Sequence, residues 1–288
     1  MVEGLTPDSA TLVDQSDPAG EAQSAGRTRA AARGDQELSL ELFDSEGDHS
    51  VTVTLEGSAT TPPQGEEAHV PVATDDSGSA IYAQRLNEHQ TRVITSIDDV
   101  EDQAVFEYSF DLGDTQHLAV TDEGLPFVYD ETGDTYSIVT VMGKPWAKDA
   151  KGESLATTYE VDGDRVVQTV DTSGASFPVV ADPTWTVGGA KAVVPSMRGG
   201  AADVYLNKNA SHDFNGSNNW VCGSVAAVAG LAVPALGVGF GVACGAQALA
   251  YSVALRHDAC IVLTLKATPP FVQPNIYHKS GSYGSWCR

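Results

Sequence analysis

The stretch Thr157-Thr-Tyr-Glu-Val-Asp-Gly-Asp-Arg-Val-Val-Gln-Thr-Val170 has the composition of a β-hairpin. Residues 157–161 and 165–170 are rich in Val, Thr and Tyr, which favour β-strands. Asp162-Gly163-Asp164 separates the two runs, and Asp and Gly are preferred in tight hairpin turns. The stretch therefore predicts two antiparallel strands joined by a short turn.

Runs of the same kind recur on both sides of this hairpin and are separated by acidic or glycine-containing turns. They occupy residues 38–42, 51–55, 92–97, 104–110, 116–120, 127–129, 136–142 and 177–180. Many short strands at regular spacing favour an antiparallel sandwich or meander. The predicted fold class is α+β. An antiparallel β-rich domain covers residues 37–185, and a small disulfide-stapled module with an apolar helical hairpin covers residues 186–288.

The acidic turns also allow a calcium-binding interpretation, because carboxylates are hard oxygen ligands. The candidates are Asp44, Glu46 and Asp48, then Asp130 with Asp134, then Asp162 with Asp164. None of these groups matches the spacing of a calcium loop, and none has the distal Glu of such a loop. Turn formation is the favoured explanation, so we expect no metal site and no cofactor.

Charge is distributed unevenly along the 288 residues, whose net charge is −23. Residues 1–182 hold 9 Lys and Arg against 36 Asp and Glu, whereas residues 183–288 hold 7 against 3, a net charge of +4. A surface this acidic repels phosphate backbones, so we expect no nucleic-acid partner. Residues 1–36 are rich in Ala, Gly, Ser and acidic residues and predict a disordered acidic leader.

All four cysteines lie in the last 67 residues, at Cys222, Cys244, Cys260 and Cys287. An even number clustered in one module predicts two disulfides and an oxidising compartment. The pairing Cys222–Cys244 with Cys260–Cys287 is favoured over the two other pairings. Residues 1–26 contain neither a basic nor an apolar signal region. We therefore expect export from a start upstream of this sequence or by another route.

Five blocks of the sequence form a recognisable series: residues 145–152, 158–163, 168–171, 177–185 and 203–208. The most specific of them is Pro178-Val-Val-Ala-Asp-Pro-Thr-Trp185. These blocks resemble an uncharacterised family of exported actinobacterial proteins. The resemblance covers roughly residues 100–288. It implies export and a β-rich region followed by a cysteine-bearing module, and it implies no catalytic residues. Localisation is expected to be extracellular or in the cell envelope.

Residues 214–255 form an apolar segment of 42 residues without Asp, Glu, Lys, Arg or His. Pro234 lies near its middle, and a turn there brings Cys222 and Cys244 side by side, which predicts a disulfide-pinned helical hairpin. A second interpretation is membrane activity, because Gly237, Gly241 and Gly245 share one helix face and allow close helix packing in lipid. A plain membrane anchor is the third and least favoured.

No motif indicates an enzyme. The seven histidines form no zinc-protease or deaminase pattern, and neither a serine-hydrolase nor a phosphate-loop motif occurs. His257 near Cys260 suggests a Cys/His pair only if Cys260 is a free thiol. Ser211 is expected to cap a helix that begins with His212 and Asp213. Trp286 is expected to pack in the core or over a disulfide.

We therefore expect an exported, non-enzymatic protein whose C-terminal module is membrane-active in the manner of a bacteriocin or toxin. The expected partner is an anionic membrane or a cell-envelope protein, and no small-molecule substrate is indicated. The acidic N-terminal region would shield the module. The alternative is a structural or protein-binding module of the envelope without membrane activity.

Overall fold

The computed structural model describes a discontinuous set of residues. These are residues 11–12, 28–33, 37–43, 50–56, 73–74, 80–85, 90–97, 103–121, 124–187, 190–193, 201–208, 210–211, 259–266, 272–278, 280–281 and 284–287. They are almost entirely β-structure, and every pairing given for their strands is antiparallel.

The strands are numbered in chain order. They are β1 (Thr11–Leu12), β2 (Thr28–Arg33), β3 (Glu37–Phe43), β4 (Ser50–Glu56), β5 (Ala73–Thr74), β6 (Ala80–Arg85), β7 (Gln90–Ile97), β8 (Gln103–Asp111), β9 (Gln116–Val120), β10 (Pro126–Thr132), β11 (Thr135–Met142), β12 (Trp146–Lys148), β13 (Ser154–Leu155), β14 (Thr157–Asp162), β15 (Arg165–Asp171), β16 (Val179–Asp182), β17 (Thr184–Val187), β18 (Ala190–Val193), β19 (Ala201–Leu206), β20 (Ala259–Lys266) and β21 (Val272–His278). A short 3-10 turn follows at Gly284–Trp286.

The chain divides into two compact units. Unit 1 comprises Met1–Phe43, Ser50–Leu112 and Met142–Thr186, and unit 2 comprises Asp44–His49, Gly113–Val141 and Val187–Arg288. The predicted boundary near residue 185 coincides with only one of the passages between the units. Strands β9 to β11, apart from Met142, fall in unit 2, where they pair with one another and, through β11, with β18.

Unit 1 contains two sheets. One has the order β14-β15-β8-β4-β3-β2, and the other places β7 between β6 on one side and β16 with β17 on the other. Pro183 interrupts β16 and β17, and its carbonyl still accepts a hydrogen bond from Val93 N at 2.9 Å. The strand that follows Asp182 therefore keeps its position beside β7.

The two sheets of unit 1 pack face to face. Their shared core cluster draws from both sheets and consists of Ile97, Ala104, Ala147, Val170, Val179 and Ala181. Trp185 of β17 is fully buried, and its ring centroid lies 5.9 Å from that of Tyr108 and 5.6 Å from that of Phe110, both on β8. The N-terminal part of the prediction is thus confirmed as an antiparallel β-rich structure, and unit 1 is a sandwich.

Unit 2 is a meander in which each strand pairs with its neighbours in the order β9-β10-β11-β18-β19-β20-β21. Its tail is fixed by a disulfide between Cys260 of β20 and Cys287. The order places β19 next to β20, although 52 residues separate these strands in the chain.

One expectation requires correction, and another falls outside the described residues. Residues 28–33 of the predicted disordered leader form β2, because they pair with β3 in a register that sets Arg29 opposite Glu41 and Arg33 opposite Glu37. The predicted helical hairpin receives no support, since residues 214–255 lie outside the described part of the chain. The described residues after residue 186 form strands, apart from one helical turn after Asn207 and the 3-10 turn.

Candidate functional site

The candidate site is the base of the apolar segment, where the chain leaves β19 and returns to β20. Tyr205 lies opposite Val262 in the register of these strands. The end of β19 and the start of β20 therefore lie side by side in a hydrogen-bonded strand pair, and the chain between them includes the apolar segment.

A helical turn begins directly where β19 ends. The Asn207 Oδ1 atom accepts a hydrogen bond from Ala210 N at 2.9 Å, and the Asn207 carbonyl accepts one from Ser211 N at 2.8 Å. This is the geometry of an N-cap, in which a side-chain oxygen satisfies a free N–H of the first turn. The sequence placed the cap at Ser211, but the structure assigns it to Asn207, four residues earlier.

Ser211 instead joins the end of β19 to β20. Its buried hydroxyl donates to the Leu206 carbonyl at 3.1 Å and accepts from Ile261 N at 2.9 Å. A single hydroxyl thus connects the last residue of β19 to the third residue of β20. Sequence reasoning missed this role, because nothing local distinguishes Ser211 from a capping serine.

Three aromatic rings and the disulfide brace the same base. Trp286 packs edge-on against Tyr205 at 5.3 Å, and Tyr205 packs edge-on against Tyr277 at 5.1 Å. The Tyr277 hydroxyl donates to the Leu206 carbonyl at 2.9 Å. Cys260 and Cys287 are both fully buried and hold the tail that carries Trp286. The expected packing of Trp286 agrees with these contacts.

The net charge of unit 2 differs from the net charge of residues 183–288, because unit 2 also includes acidic residues from earlier in the chain. Residues 113–141 bring six Asp and Glu and no Lys or Arg into unit 2. With the three acidic residues of Asp44–His49, unit 2 therefore holds seven basic and twelve acidic residues, a net charge of −5. The positive balance expected for the module is confined to the part of the chain that flanks the apolar segment.

The block that carries the family resemblance lies in the core of unit 1. Asp182 and Trp185 are fully buried, and Asp182 Oδ2 lies 2.9 Å from Arg92 Nε and accepts a hydrogen bond from Thr184 Oγ1 at 2.9 Å. The guanidinium of Arg92 lies over the ring of Trp146, 5.7 Å from its centroid. These contacts join strands β7, β12, β16 and β17 in the interior of unit 1.

Asp149, from the same region of resemblance, organises two loops. Its Oδ1 accepts hydrogen bonds from Lys151 N and Glu153 N, both at 2.9 Å, and its Oδ2 accepts one from Ser176 N at 3.1 Å. Desolvation raises the pKa of this carboxyl, but the three backbone N–H groups outweigh it and hold the pKa below its usual value. Asp149 therefore ties the turn after β12 to the turn before β16.

The acidic turns act as turns where the structure describes them. Asp130 accepts hydrogen bonds from Thr115 and Thr132, and Asp162 pairs with Arg165 at 3.0 Å. Gly163 has φ near 65°, the left-handed conformation that a tight turn requires. Within the described ranges, no group of three or more His, Cys, Asp or Glu is placed to hold a metal ion. Asp44, Glu46 and Asp48 lie outside those ranges.

The remaining site residues are divided between described and undescribed parts of the chain. Cys260 is bonded to Cys287, so it offers no free thiol for a Cys/His pair with His257. The predicted bond between Cys222 and Cys244 and the glycines Gly237, Gly241 and Gly245 lie outside the described residues. In the part of the chain that is described, no helix is long and apolar enough to cross a membrane.

The fold and the site define an antiparallel β-protein of two units, in which a disulfide-closed tail braces the base of a long apolar insertion. No protein-family model and no curated protein sequence matches the chain.

Proposed function

We propose that this chain is an exported protein whose unit 2 delivers the apolar segment, residues 214–255, to a bacterial membrane and makes that membrane permeable. The observation that carries the proposal is a 42-residue stretch without Asp, Glu, Lys, Arg or His between two adjacent strands. A stretch of this kind is costly to leave in water. It needs a protein core or a lipid phase to cover it.

The composition of the segment favours lipid as its environment. Residues 225–245 are 21 consecutive residues without a polar side chain other than Cys244, the length of a helix that spans the hydrocarbon core. Gly237, Gly241 and Gly245 recur at every fourth position and would let two helices approach closely. Pro234 divides the segment, which favours two shorter inserted parts over one straight span.

Electrostatic attraction plays a smaller part in this proposal than the sequence predicts. The described unit has a net acidic balance, while Lys208, Arg256 and Lys266 lie close to the segment in sequence. Anionic headgroups attract such residues over about a Debye length, ~10 Å at 0.1 M salt. We therefore expect binding to weaken only partly as salt is raised, because apolar burial provides most of the affinity.

Export is part of the same proposal. Its support is the buried Cys260–Cys287 disulfide, since disulfides persist mainly in oxidising compartments. An envelope or extracellular location would also place the apolar segment where it meets a bacterial surface.

The test is dye leakage from vesicles of phosphatidylethanolamine and phosphatidylglycerol, with the full-length oxidised chain. A deletion variant replaces residues 213–257 with a short Gly/Ser linker. The 2.9 Å hydrogen bond between Ser211 and Ile261 shows that the two ends are close enough for such a linker. We expect leakage with the wild type and none with the deletion variant, whose melting should still be cooperative.

A pair of point variants tests the segment without a deletion. Leu231→Asp places a charge in the apolar segment and should abolish leakage, because Asp at the centre of a bilayer helix costs about 3 kcal/mol. Val105→Asp makes a comparable change at an exposed position of unit 1 and should leave leakage intact. Intact vesicles with the folded wild type, at low and high salt, would overturn the proposal in favour of an envelope-binding module.

A further inference from the structure

Unit 1 contains a buried ion pair that the proposed function does not use. Asp182 at the end of β16 is fully buried, and the Arg92 side chain on β7 is 17% exposed. Arg92 Nε lies 2.9 Å from Asp182 Oδ2 without the alignment of a hydrogen bond, and Thr184 Oγ1 donates to the same oxygen. The second carboxylate oxygen, Oδ1, has no hydrogen-bond partner among the described residues.

The groups that face Asp182 from the neighbouring strands are mostly neutral. Tyr108 on β8 is fully buried and donates from its hydroxyl to Gln168 Oε1 at 2.9 Å. Gln168 on β15 also lies against the Asp182 carbonyl, with its Nε2 atom 3.5 Å away. Tyr159 on β14 contributes a buried hydroxyl without a partner among the described residues. Arg92 supplies the positive charge next to the carboxylate. Its guanidinium also lies over the ring of Trp146 on β12.

We propose that the Asp182–Arg92 pair is a pH-sensitive ion pair, and that mild acidification, by protonating Asp182, increases the stability of unit 1. The ionised carboxylate has one hydrogen-bond donor, Thr184, one incompletely aligned cation, Arg92, and one oxygen without a hydrogen-bond partner among the described residues. These groups compensate it poorly for the loss of water. Uptake of one proton from solvent forms an O–H bond at the carboxyl and removes the buried negative charge. The Arg92 side chain is 17% exposed and lies over the Trp146 ring, so water and the ring compensate part of its charge after the proton is bound.

The direction of the effect follows from the pKa of this carboxyl. Burial raises the pKa of Asp182 to about 6. The Thr184 hydrogen bond, the charge of Arg92 and the polar side-chain interactions of Trp146 and Arg92 with the carboxylate act to lower the pKa, and burial outweighs them. In the unfolded chain the pKa returns to its ordinary value of 3.8. Between these values the native state binds more protons than the unfolded state, so stability falls as pH rises from 4 to 6. The unfolding equilibrium constant should rise on the order of 100-fold across this window through Asp182 alone.

The experiment measures urea unfolding of unit 1 in the full chain from pH 4 to pH 7.5. Hydrogen exchange of peptides from β7 and β16 reports on unit 1 separately from unit 2. The wild type is compared with Asp182→Asn, and subtraction of the two curves removes the contributions of all other carboxylates. Asp164→Asn, at an exposed turn position of the same unit, is the matched control.

We expect the free energy of unfolding of the wild type to fall relative to that of Asp182→Asn as pH rises from 4 to 6. The difference in free energy of unfolding between the wild type and Asp164→Asn should stay constant over the same range. A constant difference from Asp182→Asn, or a wild type that gains relative stability as pH rises, would overturn the proposal. Carbon NMR titration of the Asp182 carboxyl tests the same point without any variant. A titration midpoint between pH 5 and pH 7 would support the proposal, and a midpoint below pH 4 would overturn it.

Discussion

The disulfide in unit 2 closes a long loop, and its removal gives the sharpest test of how the base of the apolar segment is held. Cys260 and Cys287 are 27 residues apart in the chain. In the chain-entropy model, a loop of this size contributes about 3.5 kcal/mol by restricting the unfolded state. We expect the double variant Cys260→Ala/Cys287→Ala to lose that amount from the stability of unit 2.

Hydrogen exchange followed by mass spectrometry measures the loss in the full chain. Peptides from β20 and β21 should exchange at least 100-fold faster in the double variant, and peptides from unit 1 should not change. Val128→Ala is the matched control, since Val128 is fully buried on β10 of the same unit and the disulfide stays intact. The control should cost about 2 kcal/mol across unit 2. A loss below about 1 kcal/mol in the double variant would refute the assignment of the disulfide as the main brace of the tail.

Three further predictions concern single side chains. Ser211→Ala removes the acceptor of Ile261 N and should destabilise unit 2 by about 1–3 kcal/mol in urea unfolding, whereas Ala at the exposed Ser285 should change little. Trp185→Ala empties the centre of the sandwich and should cost about 3–5 kcal/mol, which a fall in the melting temperature of unit 1 would reveal. Asp149→Asn keeps the oxygen that accepts from Lys151 and Glu153 but loses the acceptor for Ser176. Because the pKa of Asp149 is lowered on folding, its contribution is present above pH 4 and lost below it. The variant should therefore be less stable than the wild type at pH 7 and approach it at pH 3, and equal differences at both values would contradict this assignment.

Local sequence signals predicted the hairpins well, because their turns are determined by the residues in them. The quoted stretch forms β14 and β15, with Asp162 opposite Arg165 and Gly163 in a left-handed conformation. Turn chemistry of this kind depends on a few adjacent φ angles, which Gly and Asp adopt readily. The same logic located β10 and β11 on either side of Gly133.

Pairings between distant parts of the chain were not predictable in the same way. Strand β2 contains three consecutive alanines and has no apolar alternation, so only its pairing with β3 makes it a strand. The assignment of β9 to β11 to unit 2 also depends on a remote partner, since β11 pairs with β18 some fifty residues later. Single-sequence patterns report which face is apolar, and they do not report which strand will cover an edge.

At the base of the apolar segment, the roles of single residues also depend on structure that the sequence alone does not predict. Asn207 and Ser211 are both good capping residues, and sequence alone offers no reason to prefer one. The end of β19 decides between them. Because the last strand residue is Leu206, Asn207 is the first residue free to cap, and Ser211 then falls one turn later beside Ile261.

The position of the family-like block constrains where activity can be sought. Residues 178–185 contribute Val179, Ala181 and Trp185 to the core of unit 1, and Asp182 to its buried ion pair. Because this block packs in the core of a sandwich, we expect proteins that share it to share the fold of unit 1. The block by itself does not indicate their activity. The described base of the apolar segment is built from β19, β20, β21 and the disulfide-bonded tail, all of which belong to unit 2. If proteins that carry the block differ in activity, we expect the difference to follow residues 201–288. Exchange of residues 201–288 alone should not transfer that activity, because unit 2 also contains β9 to β11.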